Sequence, residues 1–223
     1  AIKVYNLREV DELILLDISA TPEGREPDFE SIEEFSAECF VPLTVGGGVN
    51  GIEQIRKLLK AGADKVAINT AAYANPGLIR EASARYGAQC VVAVIDVRKV
   101  GGTYECYSHC GTRPTGESAE TRTKKLEELG AGEILVTSIE RDGTMQGYDL
   151  ELIRRISDSV RIPVIASGGA GTFEHLFQAV TQAKASAVAA ASMFHFTEQT
   201  PLEAKLFLAA KGLPVRRGMT APE

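Results

Sequence analysis

The sequence predicts an α/β protein, a TIM-type (β/α)8 barrel built from two half-barrel repeats. Short, fully apolar runs alternate with amphipathic helical patterns along the chain, which is typical of parallel strands covered by helices. Residues 41–50 and 162–171 share one design, an apolar run that ends in glycines and is followed by a helical pattern. Pro42 and Pro163 lie 121 positions apart, and the same shift relates several other pairs of residues. A constant shift over several elements indicates an internal repeat.

The elements of the first half follow from apolar runs and helical spacing. The run at 13–16 is apolar throughout, as in a buried strand, whereas the apolar residues of 52–61 lie at helical spacing. Gly62 is a typical helix stop, and Pro76 suits a first helical turn. The predicted elements are the end of a helix at 1–10, strands at 13–16, 43–45 and 65–68, a polar loop at 18–27, helices at 29–39 and 52–61, and a helix that starts at Pro76.

The second half opens with the most apolar strand, residues 91–95, which ends at Asp96. Residues 98–109 alternate around Gly101-Gly102, which predicts a β-hairpin inserted after this strand. The remaining predicted elements are helices at 117–129, 150–156, 173–180 and 202–210 and strands at 134–137, 164–166 and 187–191.

These predictions give the barrel seven strands, three in the first half and four in the second. The repeat places the partner of strand 91–95 before residue 1, so we expect an eight-stranded barrel whose first strand is absent from this sequence. We expect a single domain, residues 1–223, with a first half at 1–88 and a second half at 89–223.

Composition excludes several classes of protein. The chain has 223 residues, 44% of them hydrophobic, which suits one large α/β domain with a sizeable core. Its net charge of -6 is spread along the chain, and no basic patch or polybasic anchor indicates nucleic acid or a membrane. No apolar run approaches the ~18 residues of a membrane-spanning helix, and no signal peptide opens the chain, so we expect a cytoplasmic protein.

The four cysteines do not form a disulfide framework for a domain of this size. Cys106, His109 and Cys110 stand close together, but without a second cluster they fall short of a structural zinc pattern. We therefore expect reduced thiols, no metal and no cofactor.

The glycine pairs of the two repeated segments, Gly47-Gly48 and Gly168-Gly169, suggest anion sites. Without Cβ atoms, backbone N–H groups can close around an anion, and the N-terminus of the following helix adds partial positive charge. The alternative is that these glycines only form tight turns between strand and helix. Because the two loops match each other, we favour two phosphate sites.

Six motifs stand in order along nearly the whole chain: Thr44-Val45-Gly46-Gly47-Gly48, residues 63–72, 130–135, Arg141-Asp142-Gly143-Thr144, Gly147-Tyr148-Asp149 and residues 166–171. Together they resemble the cyclase subunit of imidazole-glycerol-phosphate synthase. The resemblance implies a (β/α)8 barrel and a lyase of histidine biosynthesis, which joins ammonia to a ribulosyl-formimino substrate carrying two phosphates. The products are imidazole glycerol phosphate and an aminoimidazole-carboxamide ribotide.

The resemblance also implies roles for individual residues. The family uses two aspartates, at the ends of the first and fifth strands, as general acid and base. Asp96 matches the second, and the first would lie before Ala1. Its place at the end of a buried barrel strand also makes Asp96 the best acid–base candidate, the alternative being a cap of the following loop. The matches to the two family phosphate sites are Gly48, Asn69 and Thr70 for one, and Asp142, Gly143, Gly169, Ala191 and Ser192 for the other.

Polar residues near strand ends add one alternative and two further candidates. Asp142 also fits a plain Asp-Gly turn. Asp17 and Ser167 end strands and are further candidates for contact with the substrate.

Charged residues at strand starts would ring the opposite end of the barrel. Glu12, Lys65 and Glu133 match family residues at an ammonia gate. The alternative is a salt-bridge layer that closes the barrel, and the two roles are compatible. The resemblance implies a glutaminase subunit as the partner that docks at this end and supplies ammonia.

Two other functions stay open. A paralogous group of similar barrels serves the amidation of nucleotide-linked or lipopolysaccharide sugars, and residues 23–27 and 38–42 look like that group. Residues 194–196 and 215–217 look more like the histidine enzyme. A third hypothesis is a non-catalytic subunit that conducts ammonia or acts as a scaffold, against which the presence of Asp96 argues.

Overall fold

One curled sheet forms the centre of the molecule. The computed structural model describes the backbone of residues 2–216 and the side chains of residues 4–216, so Ala1 of the predicted first helix lies outside the described residues. The strands are β1 (Leu13–Leu16), β2 (Leu43–Gly46), β3 (Lys65–Ile68), β4 (Val91–Val100), β5 (Thr103–Ser108), β6 (Arg113–Ser118), β7 (Glu133–Ser138), β8 (Val164–Ser167) and β9 (Ala187–Val188). Seven of these run parallel in the order β1-β2-β3-β4-β7-β8-β9, while β5 and β6 extend β4 as an antiparallel ribbon.

Helices connect the parallel strands. They are α1 (Ile2–Leu7), α2 (Ala20–Glu23), α3 (Phe29–Ala37), α4 (Ile52–Lys60), α5 (Ala71–Ala74), α6 (Gly77–Tyr86), α7 (Ala119–Glu128), α8 (Leu150–Ser159), α9 (Phe173–Thr181), α10 (Ser192–Phe196) and α11 (Pro201–Ala210). Several helix starts are encoded locally, because the side chains of Asp28, Ser118, Asp149 and Thr200 each accept a hydrogen bond from the backbone N–H three residues on. Within residues 2–216, no helix is both long and apolar enough to cross a lipid bilayer.

The internal repeat is present in the structure. Leu13 pairs with Leu43 between β1 and β2, and Ile134 pairs with Val164 between β7 and β8, so the register is conserved under the shift of 121 positions. Helices α4 and α9 are related by the same shift at both ends. The fold is therefore the predicted TIM-type α/β architecture with two similar halves.

The barrel is open. Within the described residues, no ladder of backbone hydrogen bonds joins β1 to β9. Side chains connect the two open edges of the sheet instead. Tyr5 Oη lies 3.1 Å from His195 Nε2, and Lys205 Nζ pairs with Asp11 Oδ1 at 3.1 Å. The seven parallel strands agree with the sequence, and the expected eighth strand, which would precede residue 1, stays a prediction.

Side chains alternate between an outer and an inner apolar cluster along the parallel strands. Val66 and Ile68 of β3 pack in the outer cluster with helix residues, whereas Ala67 lies in the inner one. The inner cluster comprises Ala67, Val92, Val94, Leu135 and Ile165, with Ile14 and Ala189 packed against it. Because successive strand side chains point to opposite faces, residues two positions away from these also face the inside of the barrel.

The structure corrects several predicted boundaries. Strand 91–95 continues to Val100, because its second part pairs with β5 of the confirmed hairpin. Residues 113–118 form a third antiparallel strand, so the helix predicted from 117 starts at Ala119.

Two further segments differ from the prediction. The polar loop at 18–27 contains the short helix α2, which ends at Gly24 in the left-handed conformation. The strand predicted at 187–191 is limited to Ala187–Val188, and the chain soon enters α10, which the sequence does not predict.

Candidate active site

The inside of the open barrel is arranged in three layers around a cavity of about 1400 Å³. The middle layer is the inner apolar cluster. On β3, Lys65 lies two positions before Ala67 and Asn69 two positions after it, while Asp96 follows Val94 by two positions on β4. All five residues line the cavity. Charged side chains therefore lie where the strands begin, which we call the lower end of the barrel. Polar side chains lie where the strands finish, which we call the mouth.

The predicted gate residues meet at the lower end. Lys65 Nζ lies 2.7 Å from Glu133 Oε1 and 2.9 Å from Glu12 Oε2. Burial by itself would lower the pKa of Lys65, but the hydrogen bonds and charges of the two carboxylates outweigh it and raise that pKa. Lys65 therefore stays protonated at neutral pH, and the three side chains form a charged layer across the start of the barrel.

The C-terminal segment adds to this layer residues that the sequence analysis did not single out. Lys205 of α11 pairs with Asp11, and Arg216 Nη1 donates to the Asp11 carbonyl oxygen at 3.3 Å. Their contact with the segment before β1 spans nearly the whole chain, and no local pattern in the sequence signals it.

Asp96 and Asn69 form a hydrogen-bonded pair at the mouth. Asn69 Nδ2 donates to Asp96 Oδ2 at 2.9 Å. Burial raises the pKa of Asp96 to about 6; the hydrogen bond from Asn69 opposes this effect, and the negative charge of Asp142 adds to it. A carboxyl group that titrates near neutral pH can take up and release a proton, as general acid–base catalysis requires. In the described part of the chain this carboxylate accepts no loop N–H, so the alternative of a loop cap is not supported.

The first glycine loop has the geometry of an anion site. Gly47 and Gly48 have φ of 102° and 70°, and a Cβ on Gly47 would lie 2.3 Å from the Asp17 carbonyl oxygen, so only glycine fits. Gly48 N–H donates to Thr21 Oγ1 at 3.3 Å, while among the described residues the N–H groups of Gly47 and Val49 have no protein acceptor. Helix α4, which follows, has no side-chain cap. Unpaired N–H groups in front of a helix N-terminus favour a bound anion.

Two residues predicted at this phosphate site make other contacts. Asn69 is hydrogen-bonded to Asp96, and Thr70 Oγ1 accepts the His109 N–H at 2.9 Å. A hydroxyl group can donate while it accepts, so Thr70 keeps a proton for a ligand. Gly48 and Thr70 line one cavity, while the amide nitrogen of Asn69 is directed to the Asp96 carboxylate. Phosphate binding by these residues stays a prediction.

The second glycine loop repeats the design. Gly168 and Gly169 have φ of 85° and 109°, and a Cβ on Gly169 would lie 2.3 Å from the Gly147 carbonyl oxygen. Among the described residues, the N–H groups of Gly168, Gly169 and Ala170 have no protein acceptor. Asp142 lies beside this loop, with its Cα 3.4 Å from the position of a Cβ on Gly168. The other residues predicted at this site also line the cavity: Gly143, Ala191 and Ser192.

Asp17 organises its own loop. Asp17 Oδ1 accepts hydrogen bonds from Ser19 N–H, Ser19 Oγ and Ala20 N–H at 2.9–3.0 Å, and Oδ2 lies 3.3 Å from Arg25 Nη2. Burial would raise the pKa of Asp17, but these hydrogen bonds and Arg25 lower it. Ser167 ends β8 and lines the cavity. Contact of either residue with a substrate stays a prediction.

The turn between β5 and β6 crosses the mouth, which the sequence analysis did not expect. His109 and Cys110 both adopt the left-handed conformation, uncommon for residues other than glycine, with φ of 51° and 56°. His109 N–H donates to Thr70, and Cys110 Sγ donates to the Ile18 carbonyl oxygen at 3.2 Å. This turn therefore joins the loop after β3 to the loop after β1. All four cysteines are free, and no group of the described residues has the composition and spacing of a metal site.

Comparison with known protein families identifies the chain. The model of the family described as "Histidine biosynthesis protein" matches residues 1–200. The chain therefore belongs to this family of TIM-type barrels, which implies an isomerase- or cyclase-type enzyme of histidine biosynthesis.

Proposed function

We propose that this member of the histidine biosynthesis protein family is the cyclase subunit of imidazole-glycerol-phosphate synthase. It would use ammonia from a glutaminase partner to convert a ribulosyl-formimino bisphosphate into imidazole glycerol phosphate and an aminoimidazole-carboxamide ribotide. The observation that supports a cyclase over an isomerase is the layered interior. A charged cluster at the lower end and an apolar middle lead to Asp96 at the mouth.

The apolar middle suits ammonia rather than ammonium. An ion loses its hydration in such an environment at a large free-energy cost, whereas a small neutral molecule does not. The Lys65 cluster lies below this layer and would admit ammonia by a small displacement of one ion pair. In this proposal the charged layer excludes water and ions when closed.

The lower end also offers a surface for the glutaminase. Phe40, three residues before β2, and Leu7, at the end of α1, are each 83% exposed. Asn6 ties the two segments together, because its side chain donates to the Glu38 carbonyl oxygen. Exposed apolar side chains beside a polar rim are typical of protein–protein interfaces.

The two glycine loops would hold the two phosphates of the substrate. Each loop presents N–H groups that find no acceptor within residues 2–216, and the loops belong to opposite halves of the repeat. The reacting atoms of a substrate held at both ends would lie between them, near Asp96. Asp96 would then take a proton from one reacting atom and return it to another as the imidazole ring closes and water leaves.

Turnover with an ammonium salt and no glutaminase tests the proposal. We expect conversion of the ribulosyl-formimino bisphosphate, followed as formation of both products. A Phe40→Ser variant should keep this activity and lose glutamine-dependent activity in the presence of the partner. Conversion of an isomerase substrate in place of the ribulosyl compound would refute the cyclase assignment.

Crystals soaked with a bisphosphate analogue provide a second test. We expect one phosphate at Gly48 and Thr70 and the other at Gly169 and Ser192. Density at neither glycine loop would contradict the anchoring of the substrate.

Sugar amidation is the second candidate function. Residues 23–27, which look like the sugar-amidating group, lie against the first glycine loop: a Cβ on Gly48 would lie 2.5 Å from the Arg25 carbonyl oxygen, and Glu26 accepts from Gln54 Nε2 at 3.1 Å. This segment therefore lies where it can select the substrate. Ammonia-dependent amidation of a nucleotide-linked sugar, without conversion of the ribulosyl substrate, would favour this function.

A further inference from the structure

One half of the Asn69 side-chain amide has a partner, and the other half has none in the part of the chain that the structure describes. Asn69 Nδ2 donates to Asp96 Oδ2, whereas Asn69 Oδ1 is buried and accepts no hydrogen bond from any described residue. Leaving a buried carbonyl oxygen without a donor is costly, and such atoms are rare in folded proteins. A ligand that brings an N–H or O–H group to this point would satisfy it.

The location of Asn69 limits which ligand that is. Lys65, Ala67 and Asn69 face the inside of the barrel from one strand, in that order from the charged layer to the mouth. Ala67 belongs to the apolar middle layer, as does Val94, which precedes Asp96 by two positions on the neighbouring strand. A molecule that moves up through the apolar layer therefore reaches the Asn69 oxygen and the Asp96 carboxylate where that layer ends. Thr137 and Ser167, two positions after Leu135 and Ile165, line the cavity at the same level.

We propose that Asn69 Oδ1 and the Asp96 carboxylate together form a binding site for one molecule of ammonia at the upper end of the barrel interior. This inference rests on the proposed function, because it takes ammonia as the molecule that crosses the apolar layer. Ammonia has three N–H donors and one lone pair. Two donors bind the two acceptors, and the lone pair stays free to attack an electrophilic carbon of the substrate. Ammonium has no lone pair, so the reactive ligand of the site is the neutral molecule.

A hydroxyl group of the phosphorylated substrate is the other source of a donor, and kinetics separate the two. Asn69→Leu removes the acceptor and keeps the approximate size. With ammonium salts as the nitrogen source, we expect KM for ammonia to rise about 2- to 10-fold, the effect of one neutral hydrogen bond. KM for the bisphosphate should stay within about twofold, since the phosphates dominate its binding. A rise in KM for the bisphosphate with unchanged KM for ammonia would overturn the proposal.

Two further variants make this result specific. Asn69→Asp keeps an acceptor oxygen but cannot donate to Asp96, and its charge lies beside that carboxylate. We expect a nearly unchanged KM for ammonia with the acid limb of kcat moved to higher pH. Asn75→Leu is the matched control, because it makes the same substitution at an exposed residue just before α6. This control should change neither KM for ammonia nor KM for the bisphosphate. A rise in its KM for ammonia would show that the effect of Asn69→Leu is not specific to the proposed site and would overturn the proposal.

A binding measurement on the unaltered protein is independent of turnover and of variant folding. The ¹⁵N and ¹H signals of the Asn69 side-chain amide are followed while ammonium chloride is added at two pH values, with potassium chloride as the salt control. We expect a saturable shift that follows the concentration of neutral ammonia at both pH values. No saturable shift, or one that follows total ammonium, would overturn the proposal. A saturable shift without conversion of the ribulosyl substrate would leave the ammonia site in place and refute the proposed cyclase function.

Discussion

Replacement of Asp96 by asparagine should make the protein more stable and much less active at neutral pH. Burial raises the pKa of Asp96 from 3.8 to about 6. A raised pKa means that the folded state holds a proton which the unfolded state has already released, so stability falls as pH rises between these two values. Above the folded pKa, the ionised carboxylate is a net cost to folding.

The size of this cost follows from the shift. A difference of about two pKa units, at 1.36 kcal/mol per unit, corresponds to about 3 kcal/mol at pH 7 and to nothing below the unfolded value. Asparagine carries no charge, and its oxygen can still accept the hydrogen bond from Asn69 Nδ2. We therefore expect Asp96→Asn to gain about 2–3 kcal/mol at pH 7, or about 4–12 °C in Tm for a domain of this size.

Urea denaturation at pH 7 and pH 4 measures the effect, and turnover with an ammonium salt measures the cost in function. The gain should be present at pH 7 and nearly absent at pH 4, and turnover should fall by about 10²–10⁴-fold, the usual contribution of general acid–base catalysis. The matched control is Asp17→Asn, which should lose stability at pH 7, because the pKa of Asp17 is lowered by the groups that bind it. Equal stability of the Asp96 variant and the original protein at both pH values would refute the argument, as would unimpaired turnover.

Three further predictions concern other parts of the site. Gly169→Ala should destabilise the protein by more than about 2 kcal/mol in urea denaturation, because the Cβ would lie 2.3 Å from the Gly147 carbonyl oxygen. Its control, Gly143→Ala, has open space around the Cβ and should cost only about 1 kcal/mol, because of the positive φ. Equal costs for the two variants would contradict this account. A thiol reagent should label Cys110 in the native protein and not Cys106, because Cys106 is fully buried and burial raises its pKa to about 12. Mass spectrometry of the labelled peptides checks this, and labelling of both cysteines would refute it. Lys65→Met should lower stability by about 1–3 kcal/mol at pH 7, because it leaves two carboxylates facing each other without a cation. Urea denaturation of both proteins measures this loss, and unchanged stability would contradict it.

Several parts of the architecture were predictable because they are local. The seven short apolar runs are the seven parallel strands, and the glycines after β2 and β8 adopt the positive φ that the paired motif requires. The shift of 121 positions anticipates even the register, since Leu13 and Leu43 pair as Ile134 and Val164 do. Repeated sequence encodes repeated local structure, and strand alternation then decides which side chains face inwards.

Other parts depend on contacts between distant segments. The third antiparallel strand, Arg113–Ser118, has no strand pattern of its own and forms because β5 offers it a partner. The helix pattern that begins nearby led the prediction two residues too far towards the hairpin. The left-handed conformations of His109 and Cys110 are likewise held by Thr70 and Ile18, which lie far away in the chain.

The sequence by itself determined the class of fold, the repeat, the two glycine loops and the identity of Asp96 as the carboxyl at the end of a buried strand. Only the tertiary structure decided what surrounds each group. It directs the Asn69 amide to Asp96, where the sequence predicted a phosphate contact, and it commits Asp17 to its own loop. It also buries Asp96 enough to move its pKa towards neutrality. The reason is physical: backbone geometry and apolar periodicity are encoded over a few residues, whereas desolvation and hydrogen-bond partners arise from segments that meet only when the sheet curls.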